Sequence, residues 1–165
     1  MYNQNDMNNI QDKINNFKKL TGVSELTETQ LEWISNENSS FTGQYKRRSG
    51  STLAHAGLCA IRAQDEPGSI QAIFSPTLAA SKSLMKIMTK FNYDKATVLN
   101  ETDNTLKFEN GSVVQFKNIE QLNYLHGIDL GKISADMSND KDSLQKLHQA
   151  FTIDKSRLLV SMCVD

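Results

Sequence analysis

Short apolar runs alternate with amphipathic segments along most of the chain, and this alternation constrains the fold more than any other feature. The runs "IQAIF" (70–74) and "RLLVSMCV" (157–164) are typical of buried strands, whereas residues 78–91 repeat apolar side chains at the helical spacing of three and four. We also expect strands near 41–45 and 132–136. Because a helix is the usual crossover between parallel strands, we predict an α/β fold, a three-layer sandwich with a mainly parallel central sheet.

Two further elements are expected beside this sheet. The dipeptide Asn110-Gly111 lies between alternating apolar residues in "TLKFENGSVVQF" and predicts a β-hairpin. Near the N-terminus, one helix is expected over residues 7–20. A second begins at Thr27, where Gln30 completes a capping-box pattern.

Length and composition indicate a globular chain. Its 165 residues suffice for one domain with a real core, which we expect over residues 25–165 after an N-terminal tail and helix at 1–24. No apolar run approaches the roughly 20 residues that span a bilayer, and the start "MYNQNDMNNI" lacks a signal-peptide pattern, so we expect a cytoplasmic protein without membrane contact. A net charge of −1 means that nucleic-acid contact requires a local basic patch.

Cysteine and histidine residues offer no metal-site pattern. Cys59 and Cys163 lie far apart in apolar surroundings, which favours two free buried thiols over a disulfide. The cysteines and the three histidines show no ligand spacing, so no zinc site is expected.

The segment "KRRSGST" (46–52) has several parts of a phosphate-binding loop between a strand and a helix. In such a loop, backbone N–H groups at a helix start hold phosphate oxygens, a lysine neutralises charge, and a Ser or Thr hydroxyl holds Mg²⁺. Gly50 and Thr52 fill two of these roles, but Ser51 stands where the lysine belongs. On this pattern alone, a basic turn before a helix is the simpler interpretation. A surface position is favoured for His55 over a phosphate contact.

A local basic patch precedes the glycine. Its residues, Lys46, Arg47 and Arg48, are suited to an anion or a nucleic-acid backbone, and equally to a solvated surface.

The order of these elements, together with several local phrases, resembles the ATPase domain of the terminase large subunit, the DNA-packaging motor of tailed phages and herpesviruses. "RRSGST" is similar to the family's loop R-x-x-G-K-[ST], with Arg47 at the family's arginine. "LTETQLEWI" is similar to the upstream segment whose glutamine contacts adenine, here Gln30. The most specific match is "LKFENGSVVQFKN...LHGIDLGKISADM", which resembles the family's hairpin and the metal-binding strand after it.

The resemblance implies a P-loop NTPase-like fold with ATP and Mg²⁺ as cofactors. The implied nucleotide-binding residues are Gln30, Arg48, Ser49, Gly50, Ser51 and Thr52. Asp136 stands at the Mg²⁺-organising aspartate, with Thr52 as the second metal contact. Asp136 and Arg47 are the implied catalytic residues, and Ser161 falls in the family's coupling motif.

Two departures from the family fall on its catalytic residues. Ser51 replaces the lysine, and Met137 replaces the glutamate that activates water. Since a positioned base contributes roughly 10²–10⁴-fold, we expect hydrolysis to be very weak or absent. The sequence ends at the last ATPase-type strand, so we expect no nuclease domain.

These features together predict a degenerate terminase-like P-loop module of phage or mobile-element origin. It is expected to bind nucleotide weakly or not at all and to act in the host cytoplasm through contacts with a terminase or motor subunit or another phage protein. Two alternatives stay open. One is a functional ATP-binding or ATPase part of a packaging terminase, in which Lys46 or Arg48 replaces the missing lysine. The other is a small nucleic-acid-binding protein, with DNA held by Lys46, Arg47 and Arg48.

Overall fold

The computed structural model has four helices and seven strands in the part of the chain that it describes. That part comprises residues 4–35, 41–46, 49–75, 77–94, 99–102, 104–118, 132–137 and 158–164. For the strands at 41–46, 99–102, 132–137 and 158–164, the description covers the backbone only.

The elements follow the order expected from the sequence. The helices are α1 (Gln4–Thr21), α2 (Glu28–Ser35), α3 (Ser51–Asp65) and α4 (Leu78–Thr89). The strands are β1 (Phe41–Lys46), β2 (Ile70–Ser75), β3 (Leu99–Thr102), β4 (Thr105–Phe108), β5 (Val113–Asn118), β6 (Lys132–Met137) and β7 (Leu158–Val164). Both predicted N-terminal helices are present. None of the helices in the described ranges is long and apolar enough to cross a membrane.

The described strands form one sheet in the order β1-β7-β6-β2-β5-β4-β3. The pairings β1–β7, β7–β6, β6–β2 and β2–β5 are parallel, whereas β5–β4 and β4–β3 are antiparallel. The predicted α/β class is therefore confirmed. Parallel strands end at the same edge of a sheet, so the ends of β1, β6 and β7 lie along one edge.

The predicted hairpin is confirmed, and its turn is docked on the end of α3. Strands β4 and β5 pair on either side of Asn110-Gly111, where Gly111 has a φ of 87°. Asn110 Nδ2 donates to the Ala63 carbonyl at 2.7 Å, and Ser112 Oγ donates to the Glu66 carbonyl at 2.9 Å. The last carbonyls of a helix have no partner within it, so the turn supplies the hydrogen bonds that α3 lacks at this end.

Helix α3 lies between two apolar clusters because its buried face is made mostly of small residues. Towards the sheet and α4, it contributes Ala56, Cys59, Ala60 and Ala63. Towards α1 and α2, Ala54 and Leu58 pack with Phe17, Trp33 and Ile34. Small side chains let a helix lie close to neighbours on more than one side.

Phe17 of α1 lies directly against the backbone of α3 at Gly57. Phe17 is fully buried, and a Cβ built on Gly57 would lie 2.3 Å from its Cε2 atom. Gly57 therefore has no room for a side chain, although glycine is a poor residue for a helix interior.

We predict that Gly57→Ala destabilises the fold by about 1–3 kcal/mol, because overpacking against Phe17 outweighs the gain of up to about 1 kcal/mol in helix propensity. Urea denaturation measures the change. The double variant Gly57→Ala/Phe17→Leu should lose less than the sum of the two single variants, since a smaller ring-free side chain relieves the contact. A single variant as stable as the wild type would contradict this account of the packing.

Candidate functional site

The start of α3 is shaped by Gly50. This residue precedes the helix with φ 85° and ψ 12°, in the left-handed region that glycine adopts without a Cβ penalty. The first hydrogen bond of the helix runs from the Ala54 N–H to the Gly50 carbonyl at 3.0 Å. Gly50 has no side chain, so it cannot cap the helix as Ser, Thr, Asn or Asp would. The N–H groups ahead of Ala54 therefore have no acceptor within the helix.

The beginning of α2 holds the loop that precedes α3. Thr27 Oγ1 donates to the Ser49 carbonyl at 2.6 Å, and Gln30 Nε2 donates to the Gly50 carbonyl at 3.3 Å. Gln30 is 3% exposed. We call the pair Thr27 and Gln30 the loop clamp, because it ties two successive carbonyls to α2.

The predicted capping box is confirmed within the same pair. The Thr27 N–H donates to Gln30 Oε1 at 3.0 Å, and the Gln30 N–H donates to Thr27 Oγ1 at 3.2 Å. The contacts of these side chains with the loop were missed from the sequence, since a capping box is recognised within one helix. The one signal in the sequence was the resemblance to terminases, because it assigned both the Gln30 segment and the glycine loop to the nucleotide site.

The loop clamp is a second reason, besides the positive φ, why position 50 requires glycine. A Cβ on this residue would lie 2.6 Å from Gln30 Nε2 and 3.2 Å from Thr27 Oγ1. The sequence suggested that glycine is needed here so that a phosphate can approach the backbone. The structure shows that the absence of a side chain at Gly50 also lets α2 pack closely against the loop.

Ser49 carries a polar atom that suits an anion. Its hydroxyl oxygen is shielded from solvent and has no hydrogen-bond partner among the described residues. Because buried hydroxyls nearly always find a partner, an orphaned one beside a helix start fits a ligand that offers acceptor oxygens. Phosphate oxygens are such acceptors. Of the neighbouring residues, Ser51 is half-buried and Thr52 is exposed.

His55 occupies a different place from the one the sequence favoured. It is 1% exposed, and its ring lies 4.7 Å from the Trp33 ring at an angle of 51°. The surface position was therefore wrong, and the reason is tertiary: α2 places Trp33 over the first turns of α3. His55 belongs to the contact between these helices.

For the remaining predicted site residues, the structure describes either the backbone alone or nothing. Asp136 of β6 is level with Ser161 of β7, which is level with Gly43 of β1. Asp136 is near the carboxyl end of β6, the edge at which α/β sheets bind ligands, whereas Ser161 and Gly43 are in the middle of their strands. Arg47 and Arg48 lie outside the described residues. The roles predicted for them, for Asp136 and for Ser161 stay predictions.

Among the described side chains, no group of three or more His, Cys, Asp or Glu residues could hold a metal ion. The predicted pair of Thr52 and Asp136 is not tested by this finding, because only the backbone of Asp136 is described. The Cys59 thiol is free and buried, as expected, and burial raises its pKa to about 12. It therefore stays protonated at neutral pH and is a core residue rather than a nucleophile.

Comparisons with known proteins identify the fold. No family model and no curated protein matches the chain. Among solved structures, the large terminase ATPase domain of Thermus phage P74-26 matches with a TM-score of 0.67 and 16% identity, covering 88% of this chain and 67% of that one. A variant of that domain with one Arg-to-Ala substitution matches with a TM-score of 0.64 and 15% identity, covering 88% of this chain and 68% of that one. This chain has the fold of a phage large terminase ATPase domain.

We predict that Gly50→Ala destabilises the protein by roughly 1–3 kcal/mol more than Gly68→Ala does, since overpacking adds to backbone strain. Gly68 is the matched control because it has a similar φ of 76°, but a Cβ there would meet nothing within 4 Å. Thermal and urea denaturation of both variants provide the comparison. Equal losses would mean that the clamp does not press on Gly50.

Proposed function

We propose that the protein is a degenerate terminase-like P-loop module that binds the phosphates of a nucleotide weakly at residues 49–52 and hydrolyses it very slowly or not at all. The observation that carries the proposal is the loop at the start of α3, where Gly50 is held in a left-handed conformation by α2 although Ser51 replaces the expected lysine. The terminase ATPase fold of the chain supports the same assignment.

The fold is best interpreted as a three-layer P-loop sandwich with a mainly parallel central sheet. The four parallel pairings around β7, β6 and β2 support this interpretation, as does a helix on each crossover from β1 to β2 and from β2 to β5. We further propose that residues 25–165 form this one domain and that residues 1–24 are an N-terminal addition.

Nucleotide phosphates would be held by groups that the loop retains. These are the backbone N–H groups at the start of α3, the Ser49 hydroxyl, and the side chains of Arg47 and Arg48. The positive end of the helix dipole adds to their attraction for an anion. Nothing in this set depends on the missing lysine.

Mg²⁺ would be held by the Thr52 hydroxyl and the Asp136 carboxylate, which are the oxygen ligands that this ion prefers. When bound, the ion would neutralise charge on the phosphate oxygens. Ser161, level with Asp136 on the adjacent strand, is then in a position to link the site to neighbouring elements.

The chemical step lacks its two usual side chains. Ser51 has no charge to place beside the phosphates, and Met137 cannot accept a proton from water. A module of this kind acts through the surface that it presents, and we propose a related terminase or motor subunit as its partner in the cytoplasm of a phage-infected cell.

We predict weak, salt-sensitive binding of ATP and pyrophosphate with steady-state turnover near background. Amide chemical-shift perturbation by each ligand at low and high salt locates the site, and phosphate release measures turnover. The amides of residues 49–52 should shift most at low salt. Ser51→Lys should tighten binding, because it adds a cation beside the phosphates, whereas Ser51→Ala should leave it nearly unchanged. Robust turnover that disappears in Asp136→Ala would contradict the degenerate assignment, and motionless loop amides would contradict binding.

A second candidate function, nucleic-acid binding, is favoured by three lysines on α4 and at its C-cap, which we call the α4 row. Lys82, Lys86 and Lys90 are four residues apart and exposed, so they lie on one face about 6 Å from one another along the helix. None of them pairs with an acidic side chain among the described residues. A phosphate backbone has the charge complementary to this row and to the basic sequence segment Lys46, Arg47 and Arg48.

The salt dependence of duplex DNA binding tests this candidate. If the three lysines each neutralise one phosphate, replacing all three by Gln should reduce the slope of log K against log salt by about 2.7, at about 0.9 per contact. Fluorescence anisotropy between about 50 and 200 mM salt gives the slope. Lys107→Gln is the control, since Lys107 is exposed on β4 and lies outside the row. A slope unchanged in the triple variant would exclude the α4 row as the binding surface.

A further inference from the structure

We propose that the loop clamp is a positioning device that fixes the conformation of residues 49–51 before any ligand binds, so that the site recognises phosphates rather than the base. The ligand part of this inference rests on the proposed function, whereas the positioning part concerns the ligand-free protein. Within it, Gln30 acts on the loop and is not the reader of the nucleobase.

Both polar atoms of the Gln30 amide already have hydrogen-bond partners in the ligand-free protein. Its Oε1 accepts from the Thr27 N–H at 3.0 Å, and its Nε2 donates to the Gly50 carbonyl at 3.3 Å. The side chain is 3% exposed. A glutamine that recognises adenine presents its oxygen and its nitrogen together to the base edge. Here a base would have to compete with Thr27 for the oxygen and with Gly50 for the nitrogen.

The clamp also orients two peptide groups of the loop. In a trans peptide, the C=O and the following N–H point in opposite directions. Thr27 and Gln30 draw the carbonyls of Ser49 and Gly50 towards α2, so the N–H groups of Gly50 and Ser51 are directed away from α2.

Two successive N–H groups around a left-handed residue form a concave donor site for an anion. The φ of 85° at Gly50 provides that left-handed residue. Neither the Gly50 N–H nor the Ser51 N–H has a hydrogen-bond acceptor among the described residues. The clamp therefore prepares two successive donors, and the residue before them, Ser49, carries a hydroxyl with no hydrogen-bond partner among the described residues.

A site of this kind discriminates little between ligands that share a phosphate group. A preformed donor site lowers the cost of ordering the loop for every ligand that carries the same phosphate group. ATP, GTP and inorganic pyrophosphate should therefore bind with similar affinity, and losing the clamp should weaken all three by the same factor.

The ligand-free arm of the test measures backbone order by ¹⁵N relaxation in four proteins. In the wild type and in Thr27→Ser, which keeps the hydroxyl, the order parameters of Gly50 and Ser51 should be about 0.85, as in a rigid backbone. In Thr27→Val and Gln30→Glu, each of which loses one donor to the loop, they should fall towards 0.6. Gly68→Ala is the control for general destabilisation, because it strains the backbone at a φ of 76° while a Cβ there would meet nothing within 4 Å, the clamp included.

The binding arm measures the affinities of the same proteins for ATP, GTP and pyrophosphate. Each loss of a clamp hydrogen bond should weaken all three ligands about five- to tenfold, with Thr27→Ser close to the wild type. A loss confined to ATP in Gln30→Glu would overturn the inference and identify Gln30 as a base reader. Unchanged order parameters in both clamp variants would overturn the positioning role.

The two arms separate this inference from the proposed function. If the wild type binds none of the three ligands, the proposed nucleotide site fails, and the order parameters alone decide whether the clamp fixes the loop. If binding is present but the order parameters do not respond, the nucleotide site stands and the clamp is rejected.

Discussion

The close packing of α3 is the interaction on which the rest of the structure depends. Its small side chains let the sheet and α4 approach from one side and α1 and α2 from another, with Phe17 seated directly on Gly57. Such an arrangement tolerates little change in volume, because interiors are packed to crystal-like density. It also keeps α2 beside the first turns of α3, which brings Trp33 against His55 and the loop clamp against Gly50.

Both ends of α3 are tied to other elements by hydrogen bonds. At its start, the loop clamp holds the carbonyls of Ser49 and Gly50. At its end, the hairpin turn holds the Ala63 and Glu66 carbonyls. A helix fixed at both ends and along two sides is a rigid support, which is what a preorganised anion site requires. The two motifs that first suggested the family, the glycine loop and the Asn-Gly hairpin, are therefore connected through one helix.

In a phosphate-binding loop, the backbone and the side chains have different functions. Binding of a phosphate depends on N–H groups and a helix dipole, and these survive any substitution that preserves the loop conformation. Charge neutralisation and proton transfer depend on individual side chains, and Ser51 and Met137 lack both capacities. A chain can therefore keep the shape of an ATPase site, and the surfaces around it, while losing the chemistry. The proposed loss of chemistry is therefore compatible with a terminase ATPase fold.

By itself, the sequence determined the α/β class, the hairpin at Asn110-Gly111 and the capping box at Thr27 and Gln30, because periodicity and capping are encoded within a few neighbouring residues. The resemblance to terminases, on which the expected site rested, also predicted the fold. Only the tertiary structure decided that Gln30 reaches the Gly50 carbonyl and that His55 is buried under Trp33. These contacts join residues about 20 positions apart, and their geometry depends on how α2 packs on α3, which no local pattern specifies.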